Sequence, residues 1–267
     1  MKNLVLFIIL LCIVTSAAAQ TRVTDLSQVS LKGKVKRVTT YTFRADNHMT
    51  PDTTGTAEKT IETFDEKGWA LEVKMYNKND ALQESFSFEY IGDSIVVKNQ
   101  FDRSGKLFVK YVYKYDNLGK ETEFDMNSDA QPQLRLAKIN YRCIYEYNKS
   151  GNRISETQYI DSDRLTMRTV SKYDNQHKRV QSNQESFFGK TIKASKTIYT
   201  YDDAGNLIKF ENYDADGKLT GGNKVTYAQF DKYGNWLMVT ASYSGHSINQ
   251  GDFIFTHITK RTIEYYE

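Results

Sequence analysis

The sequence predicts an all-β protein: an antiparallel meander of repeated hairpins that curls into an open barrel-like or spiral sheet. One short phrase (an aromatic residue, Asp, two further residues, then Gly) recurs with a period of about 28 residues, which is typical of repeat architectures, and each unit holds two strands. The chain contains 19 Tyr and 14 Phe but only 2 Pro. This composition favours strands over helices and loops.

The N-terminal segment has the pattern of a secretory signal peptide. One lysine follows the initiating methionine, an apolar run covers residues 4–14, and small residues lead up to Ala19. The apolar run is too short to span a bilayer, and the small residues suit cleavage near Ala19. We therefore predict a signal peptide over residues 1–19, with an uncleaved anchor as the alternative. Residues 20–267 are predicted to form a single β-repeat domain that is periplasmic or extracellular.

The recurring phrase has the chemistry of a hairpin. Tyr199 and Tyr201 are two residues apart and lie on one face of a strand. Asp202 can end this strand by accepting hydrogen bonds from the next backbone amides. Gly205 can adopt positive φ without steric cost, which suits a type I turn followed by a left-handed residue. Asp202 and its equivalents, including Asp214 and Asp231, are therefore interpreted as turn caps rather than catalytic acids.

Variants of the phrase divide most of the chain into strands. The first strand is predicted over residues 35–43, a long loop over 44–56, a second strand over 58–64, and the last strand over 253–266. Primary turns are predicted to begin at Phe64, Tyr90, Tyr115, Tyr147, Tyr173, Tyr201 and Phe230. Secondary turns are predicted near Tyr76, Phe101, Phe124, Tyr159, Phe188, Tyr213 and Tyr243. Seven glycines follow an aromatic residue by four positions: Gly68, Gly105, Gly119, Gly151, Gly205, Gly217 and Gly234.

Some of the predicted turns depart from the glycine rule, among them the shorter turn at Tyr90. His177 occupies the glycine position of the turn that begins at Tyr173. The segment from Phe124 through Gln133 is predicted to form an irregular loop, because it lacks the glycine and contains Pro132. Function in rigid β scaffolds tends to lie in such loops. This loop is therefore a candidate functional insertion, with a neutral surface insertion as the alternative.

The predicted strands have two different faces. Phe86, Phe88 and Tyr90 share one side of a strand, and Ser87 and Glu89 share the other. The sheet must cover its aromatic side, so we expect it to curl on itself or pack as two layers, with tyrosine hydroxyls reaching hydrogen-bond partners or the rim.

The same alternation also fits an outer-membrane barrel. Charges such as Glu89, Lys114 and Glu146 oppose the aromatic side chains, whereas a membrane barrel needs an apolar outer band. An inverted sheet would place the aromatics toward lipid and the charges inside. Alternation therefore leaves this architecture open, and solubility of the mature chain without detergent would exclude it.

Three phrases carry a resemblance to a known family. They are YTYDDAGNL from Tyr199, YEYNKSGNR from Tyr145 and YKYDNLGK from Tyr113. They resemble the YD repeats of the RHS family over residues 64–236. The resemblance implies antiparallel strands that spiral into a shell, and an exported location. The family's shells often surround a toxin domain. This chain has few units, and it ends at Glu267 in a predicted strand rather than in a toxin domain.

No catalytic or cofactor motif is evident. The four histidines, His48, His177, His246 and His257, lack metal-ligand spacing. Cys143 alternates with tyrosines and is interpreted as a buried small side chain rather than a nucleophile. Trp69 and Trp236 each lie just after a turn glycine, where they either close the core at a rim or stack on a sugar. Gly221 and Gly222 precede no helix and are not interpreted as a phosphate loop.

These observations predict an exported, non-enzymatic protein with a binding or scaffolding role in the cell envelope or outside the cell. Its partner would be an unknown envelope or extracellular protein or a glycan. Acidic and basic residues are interleaved and the net charge is +3, so no nucleic-acid partner is expected. The chain is not expected to be an integral membrane protein after signal cleavage. We expect no cofactor or metal and assign no catalytic or ligand-binding residues. The alternative is a secreted carbohydrate-active enzyme with paired carboxylates, or a glycan-binding protein.

Overall fold

The computed structural model describes residues 31–45, 53, 57–128, 140–161, 163–247 and 251–267. The predicted signal peptide, most of the predicted loop over residues 44–56, and residues 129–139 lie outside these ranges. The described residues form sixteen strands: β1 Val35–Ala45, β2 Glu58–Phe64, β3 Ala70–Tyr76, β4 Leu82–Ile91, β5 Ile95–Asp102, β6 Leu107–Tyr115, β7 Glu121–Ser128, β8 Asn140–Tyr147, β9 Arg153–Ile160, β10 Arg164–Tyr173, β11 Arg179–Phe188, β12 Thr191–Tyr201, β13 Leu207–Asp214, β14 Leu219–Phe230, β15 Trp236–Ser247 and β16 Gly251–Tyr265.

The strands form one closed antiparallel barrel. Each strand pairs with its neighbours in sequence, and β1 pairs with β16 to close the sheet. The closing ladder runs from the pair Val35 and Tyr265 to the pair Ala45 and Thr256. The predicted all-β antiparallel meander is confirmed, and the sheet closes where the sequence pointed to an open one. Closure removes the unpaired strand edges of an open sheet.

Nine turns among the described residues share one hydrogen-bonding geometry. In the first, Asp65 N–H donates to the Trp69 carbonyl oxygen at 2.9 Å, and Gly68 N–H donates to the Asp65 carbonyl oxygen at 3.0 Å. The Asp65 carboxylate also accepts from the N–H groups of Lys67 and Trp69, both at 2.9 Å. The same pattern recurs at Asn77, Asp102, Asp116, Asn148, Asp174, Asp202, Asp214 and Asp231. The prediction that Asp202, Asp214 and Asp231 cap turns is confirmed.

The left-handed position of these turns follows the predicted glycine rule. All seven predicted glycines have φ between +71° and +88°. His177 holds this position with φ +63°, and Asp80 does so with φ +59° in the turn after Tyr76. Asn and Asp tolerate this conformation better than most residues, so the Asp80 turn follows the same rule with a different residue.

Two predicted secondary turns are wrong. β7 continues through Phe124 to Ser128, and β15 continues through Tyr243 to Ser247. Neither aromatic residue has a glycine four positions later, and serine occupies that position after both of them. The first part of the predicted irregular loop, up to Ser128, is therefore strand, and its remaining residues lie outside the described ranges.

One end of the barrel carries the seven primary turns, the start of β1 and the end of β16. We call this end the tyrosine rim. Just before β1, Leu31 packs with Val35, Val38 and Phe64 in a buried cluster. Leu31 therefore packs against the inside of the tyrosine rim.

Candidate ligand-binding lumen

Tyrosine hydroxyls tie neighbouring hairpins together at the tyrosine rim. Tyr173 O–H, at the end of β10, donates to the Arg153 carbonyl oxygen at the start of β9, at 2.7 Å. Pairing between these strands stops at Ser155 and Val170, so the hydroxyl replaces a missing ladder bond. The same bond joins Tyr90 to Ala70, Tyr201 to Arg179, Tyr227 to Leu207 and Tyr266 to Phe64. This bond explains the aromatic residue of the repeat at Tyr90, Tyr173 and Tyr201, whose partners lie 20 to 22 residues away.

The aromatic face of the sheet is its inner wall. On this face, burial raises the pKa of Glu62 and lowers the pKa of Lys98. Burial also lowers the pKa of Arg261 to about 10. On the opposite face, ion pairing instead raises the pKa of Lys74 and Lys114. Dehydration is thus the largest influence on these groups of the aromatic face but not on the two outer lysines, as expected where side chains converge inside a barrel.

Contacts across several strands support this orientation. Phe88 of β4 packs against the cluster formed by Val35 and Val38 of β1 and Phe64 of β2. Glu62 of β2 interacts electrostatically with Lys98 of β5, three strands away. Side chains this far apart in the sheet meet only on its concave side.

The outer wall carries ion pairs. Lys114 Nζ lies 3.0 Å from carboxylate oxygens of both Glu123 and Asp125. Lys209 and Glu211 form a second pair at 2.7 Å. The predicted charges at Lys114 therefore lie outside, but the separation from the aromatic residues is incomplete, because Glu62, Lys98 and Arg261 lie on the aromatic face.

One polar cluster of the inner wall is centred on Lys98. Its Nζ lies 4.2 Å from the ring centroid of Phe86 and 5.6 Å from that of Tyr111. Tyr111 O–H donates to Gln100 Oε1 at 2.6 Å, and the Gln100 amide donates to Glu84. A cation, an amide and a carboxylate are thus held among aromatic rings.

A second polar cluster is centred on Arg153. Its guanidinium lies 3.8 Å from the ring centroid of Tyr145 and forms an ion pair with Glu121 at 3.2 Å. Arg153 Nε also donates to the hydroxyl oxygen of Tyr147 at 3.3 Å. Burial raises the pKa of Glu121 and of Tyr145. Cys143 lies on the same face and is 2% exposed, which confirms its prediction as a buried side chain.

Both tryptophans lie at the tyrosine rim. Trp236 is covered by the Arg261 guanidinium at 3.4 Å from its ring centroid and packs near Tyr227. Trp69 packs against Tyr90, with ring centroids 5.5 Å apart. These contacts confirm that the tryptophans close the core at the rim, and stacking on a sugar stays a prediction.

The remaining candidates from the sequence are dispersed. His177 lies in a turn, where its Nδ1 is 3.1 Å from the Asn152 amide, and His257 lies on the inner wall. Within the described ranges, no group of three or more His, Cys, Asp or Glu side chains could hold a metal ion. In the same part of the chain, no helix is long and apolar enough to cross a membrane. Gly221 and Gly222 lie within β14.

The chain is similar in structure to a solved barrel. No family model and no curated protein matches it. A porin-like protein from Bacteroides uniformis ATCC 8492 is similar over 92% of this chain and 100% of its own, with a TM-score of 0.57 and 12% identity. The TcdB2-TccC3 structure matches 79% of this chain and 15% of its own, with a TM-score of 0.31 and 13% identity. The likeness to the porin-like protein confirms the all-β barrel fold.

Proposed function

We propose that the chain is an exported, non-enzymatic β-barrel protein of the cell envelope that binds a glycan in its lumen. The observation that carries this proposal is the inner wall, where aromatic rings surround fixed polar groups such as Lys98, Gln100 and Arg153. Aromatic rings cover the apolar faces of sugars, and amide and charged groups bind their hydroxyls. Pockets with mainly apolar walls and a few placed polar groups are typical ligand sites.

Export and the YD-repeat relationship belong to the same proposal. The pattern that leads to Ala19 supports a cleaved secretory signal. The turn geometry at Asp202 and Gly205, repeated around the barrel, supports a relationship to YD repeats at the level of the hairpin. The likeness to a porin-like protein supports an envelope location.

The outer wall argues for a barrel that works in water. A lipid-facing wall needs an apolar band about 25 Å tall. Here the outward positions carry charged pairs, including Lys114 with Glu123 and Lys209 with Glu211. If the barrel were instead a pore in the outer membrane, it would have to bury these charges in lipid.

Fractionation after export tests location and solubility. The full chain is expressed with its own N-terminal segment in a bacterium with two membranes. We expect the product in the periplasm or the medium, soluble without detergent, and starting near Gln20 by N-terminal sequencing. A product extracted from the outer membrane only by detergent would overturn the water-soluble barrel.

Binding is then tested with defined probes. The exported protein is mixed with purified peptidoglycan sacculi and, by calorimetry, with the hexasaccharides of N-acetylglucosamine and of β-1,4-linked glucose. We expect saturable binding to at least one probe. A well-folded chain that binds none of them would overturn glycan binding in the lumen.

A secreted carbohydrate-active enzyme is the second candidate. One observation favours it: burial and the nearby Glu156 both raise the pKa of Glu121, as expected for a carboxyl group that acts as an acid. The ion pair with Arg153 gives Glu121 a structural role as well. Release of reducing ends from either hexasaccharide, abolished by Glu121→Gln, would establish this activity and overturn the non-enzymatic proposal.

A further inference from the structure

The hairpin formed by β11 and β12 projects from the end of the barrel opposite the tyrosine rim. β10 pairs with β11 only as far as Ser186, and β13 pairs with β12 only as far as Ser195. Beyond these two residues the hairpin pairs only with itself, up to the pair of Phe188 and Thr191. We call residues 187–194 the projecting tip.

The projecting tip carries two large apolar side chains that the barrel leaves exposed. Phe188 is 64% exposed and Ile192 is 61% exposed, which are the two highest values among the large apolar side chains of the described residues. Residues 188–194 are exposed without interruption. Apolar side chains grouped in this way at the surface mark a place where a protein contacts an apolar partner.

A tight turn fixes the position of these side chains. Gly189 is the first of the two residues that join Phe188 to Thr191, and its φ is +61°. A two-residue turn with glycine first and at positive φ is of type II′, whose twist matches that of the strands it joins. The tip is therefore a continuation of the sheet, and no loop has to become ordered before it makes a contact.

The charge around the projecting tip is entirely positive. Residues 186–201 contain Lys190, Lys193 and Lys196 and no acidic residue. The Lys193 ammonium lies 5.9 Å from the ring centroid of Phe188. Within the described ranges, none of these lysines forms an ion pair. A lysine can lay its alkyl chain along an apolar surface while its ammonium group reaches a polar one, so these cations suit the boundary between the two.

We propose that the projecting tip docks the barrel on the surface of an anionic lipid membrane. Phe188 and Ile192 enter the boundary between lipid headgroups and acyl chains, and Lys190 and Lys193 contact lipid phosphates. The size of the tip favours lipid over a protein partner, because a specific protein interface involves about 20–30 residues on each side. An apolar contact combined with basic residues is the pair of signals that holds a peripheral protein on anionic lipid.

This docking should be reversible. Burial of one side chain such as Phe188 or Ile192 strengthens binding by about tenfold or more, and each lysine near an anionic surface strengthens it by about fivefold. A few such side chains do not insert a protein permanently, so docking agrees with a barrel that is soluble without detergent. The inference goes beyond the proposed function, because it does not depend on glycan binding in the lumen.

Cosedimentation with vesicles tests the docking. The full exported chain is mixed with vesicles of phosphatidylethanolamine that contain one quarter phosphatidylglycerol, and separately with vesicles of phosphatidylcholine. We expect binding to the anionic vesicles at about 50 mM salt, and binding at least about tenfold weaker at about 500 mM salt or to phosphatidylcholine. A folded parent chain that does not bind the anionic vesicles would overturn the docking and leave glycan binding untouched.

Two double variants separate the apolar contribution from the charge. Phe188→Ser with Ile192→Ser should weaken binding to the anionic vesicles by at least about tenfold. Lys190→Gln with Lys193→Gln should also weaken it by at least about tenfold and should remove most of its salt dependence. Both double variants should keep the urea midpoint of the parent chain, because the substitutions lie beyond the pairing with β10 and β13. Binding as tight as that of the parent chain in both double variants would overturn the docking.

The matched control carries the same kinds of substitution at the tyrosine rim. Phe230 is 50% exposed there, and Lys232 follows it after the acidic cap Asp231. Phe230→Ser with Lys232→Gln should leave vesicle binding unchanged. An equal loss of binding in this control would overturn the assignment to the tip.

A fluorescent reporter distinguishes insertion of the tip from adsorption by charge alone. In Phe188→Trp, the emission that exceeds that of the parent chain should move to shorter wavelength when the anionic vesicles are added. In Phe230→Trp it should not move. Unchanged emission from Phe188→Trp while the chain is bound would overturn insertion of the tip.

Discussion

The side chain of Asn235 holds the main chain of Lys32, which lies 203 residues away in sequence. Asn235 Oδ1 accepts from Lys32 N–H at 2.8 Å, and Asn235 Nδ2 donates to the Lys32 carbonyl oxygen at 2.9 Å. The same amide also donates to the hydroxyl oxygen of Tyr265 at 2.9 Å, and Asn235 is 2% exposed. One turn residue thus joins Lys32 to the β14–β15 hairpin and to β16.

Asn235→Ala should cost far more stability than the equivalent change in another turn. Asn206 occupies the same turn position and donates only to its own cap, Asp202, at 2.9 Å. Asn235 makes three further bonds, to Lys32 and Tyr265, and we expect its loss to cost about 2–4 kcal/mol more in the free energy of unfolding than Asn206→Ala. Urea unfolding gives the difference, and hydrogen exchange at Lys32 should accelerate only in the Asn235 variant. Equal losses in the two variants would contradict the role of this clamp.

The tyrosine-rim bonds should contribute measurably to stability. Tyr173→Phe removes the hydroxyl that bonds the Arg153 carbonyl oxygen and leaves that oxygen without its donor. We expect a loss of about 1–2 kcal/mol in the free energy of unfolding. Tyr159→Phe is the control, since the Tyr159 hydroxyl has no hydrogen-bond partner among the described residues and its ring stays under Arg142. Tyr159→Phe should change the free energy of unfolding by no more than about 0.5 kcal/mol. A similar loss in both variants would show that the Tyr173 hydroxyl bond does not stabilise the tyrosine rim.

The left-handed turn position should favour glycine at every copy of the repeat. Gly205→Ala places a Cβ atom at φ +88° and 3.3 Å from Lys178 Cε, and should cost about 1–2 kcal/mol. His177→Gly relieves the same strain, offset by glycine's larger loss of entropy, and should gain about 0.5 kcal/mol. Thermal unfolding of both variants against the parent chain measures the two effects. A loss of stability in His177→Gly would show that its contact with Asn152 outweighs the strain.

The turns could be predicted from sequence because their chemistry is local. Asp202 and Gly205 define a turn within four residues, and the same spacing recurs along the chain. The turns predicted at Phe124 and Tyr243 are wrong because an aromatic residue without the later glycine also suits the middle of a strand. The closing pair of Val35 and Tyr265 depends on the summed register of all the strands, which no local pattern encodes.

The candidate site is harder to predict from the sequence than the turns are. The partner of a rim tyrosine lies 20 or more residues away, so a tyrosine such as Tyr173 offers no local sign of its bond. Asn223 follows Gly221 and Gly222 in a run that is typical of a turn, yet it is buried inside a strand. The lack of a hydrogen-bond donor for Asn223 Oδ1 can be recognised only from the positions of the neighbouring strands.

The thiol of Cys143 should report on opening of the barrel. It is 2% exposed, and burial raises its pKa, so both access and the reactive thiolate are suppressed in the folded chain. We expect no reaction with a disulfide reagent such as DTNB under native conditions, and one equivalent of reaction per mature chain in urea. Rapid native reaction would show that the inner wall near Cys143 opens readily.

Stability should pass through a maximum near pH 4. Burial is the largest cause of the raised pKa of Glu62 and Glu121, so the folded chain holds these protons above pH 4.5, where the unfolded chain releases them. Stability should therefore fall as pH rises through the raised pKa values, by up to about 1.4 kcal/mol per pH unit for each proton of difference. Hydrogen bonds lower the pKa of the turn caps Asp102 and Asp202, so their contribution is lost as pH falls below 3.8.

Substitution of the two buried glutamates tests the predicted loss of stability above pH 4.5. In the double variant Glu62→Gln with Glu121→Gln, no carboxyl group remains at these sites to release a proton. The decline in the urea midpoint above pH 4.5 should flatten, while the loss below pH 3.8 persists, because the turn caps are untouched. Glu146→Gln is the control on β8, opposite the aromatic face. It should leave the losses of stability above pH 4.5 and below pH 3.8 unchanged. If the urea midpoint of the double variant still declined above pH 4.5 as in the parent chain, other groups would set this pH dependence. That result would count against dehydration of the inner wall.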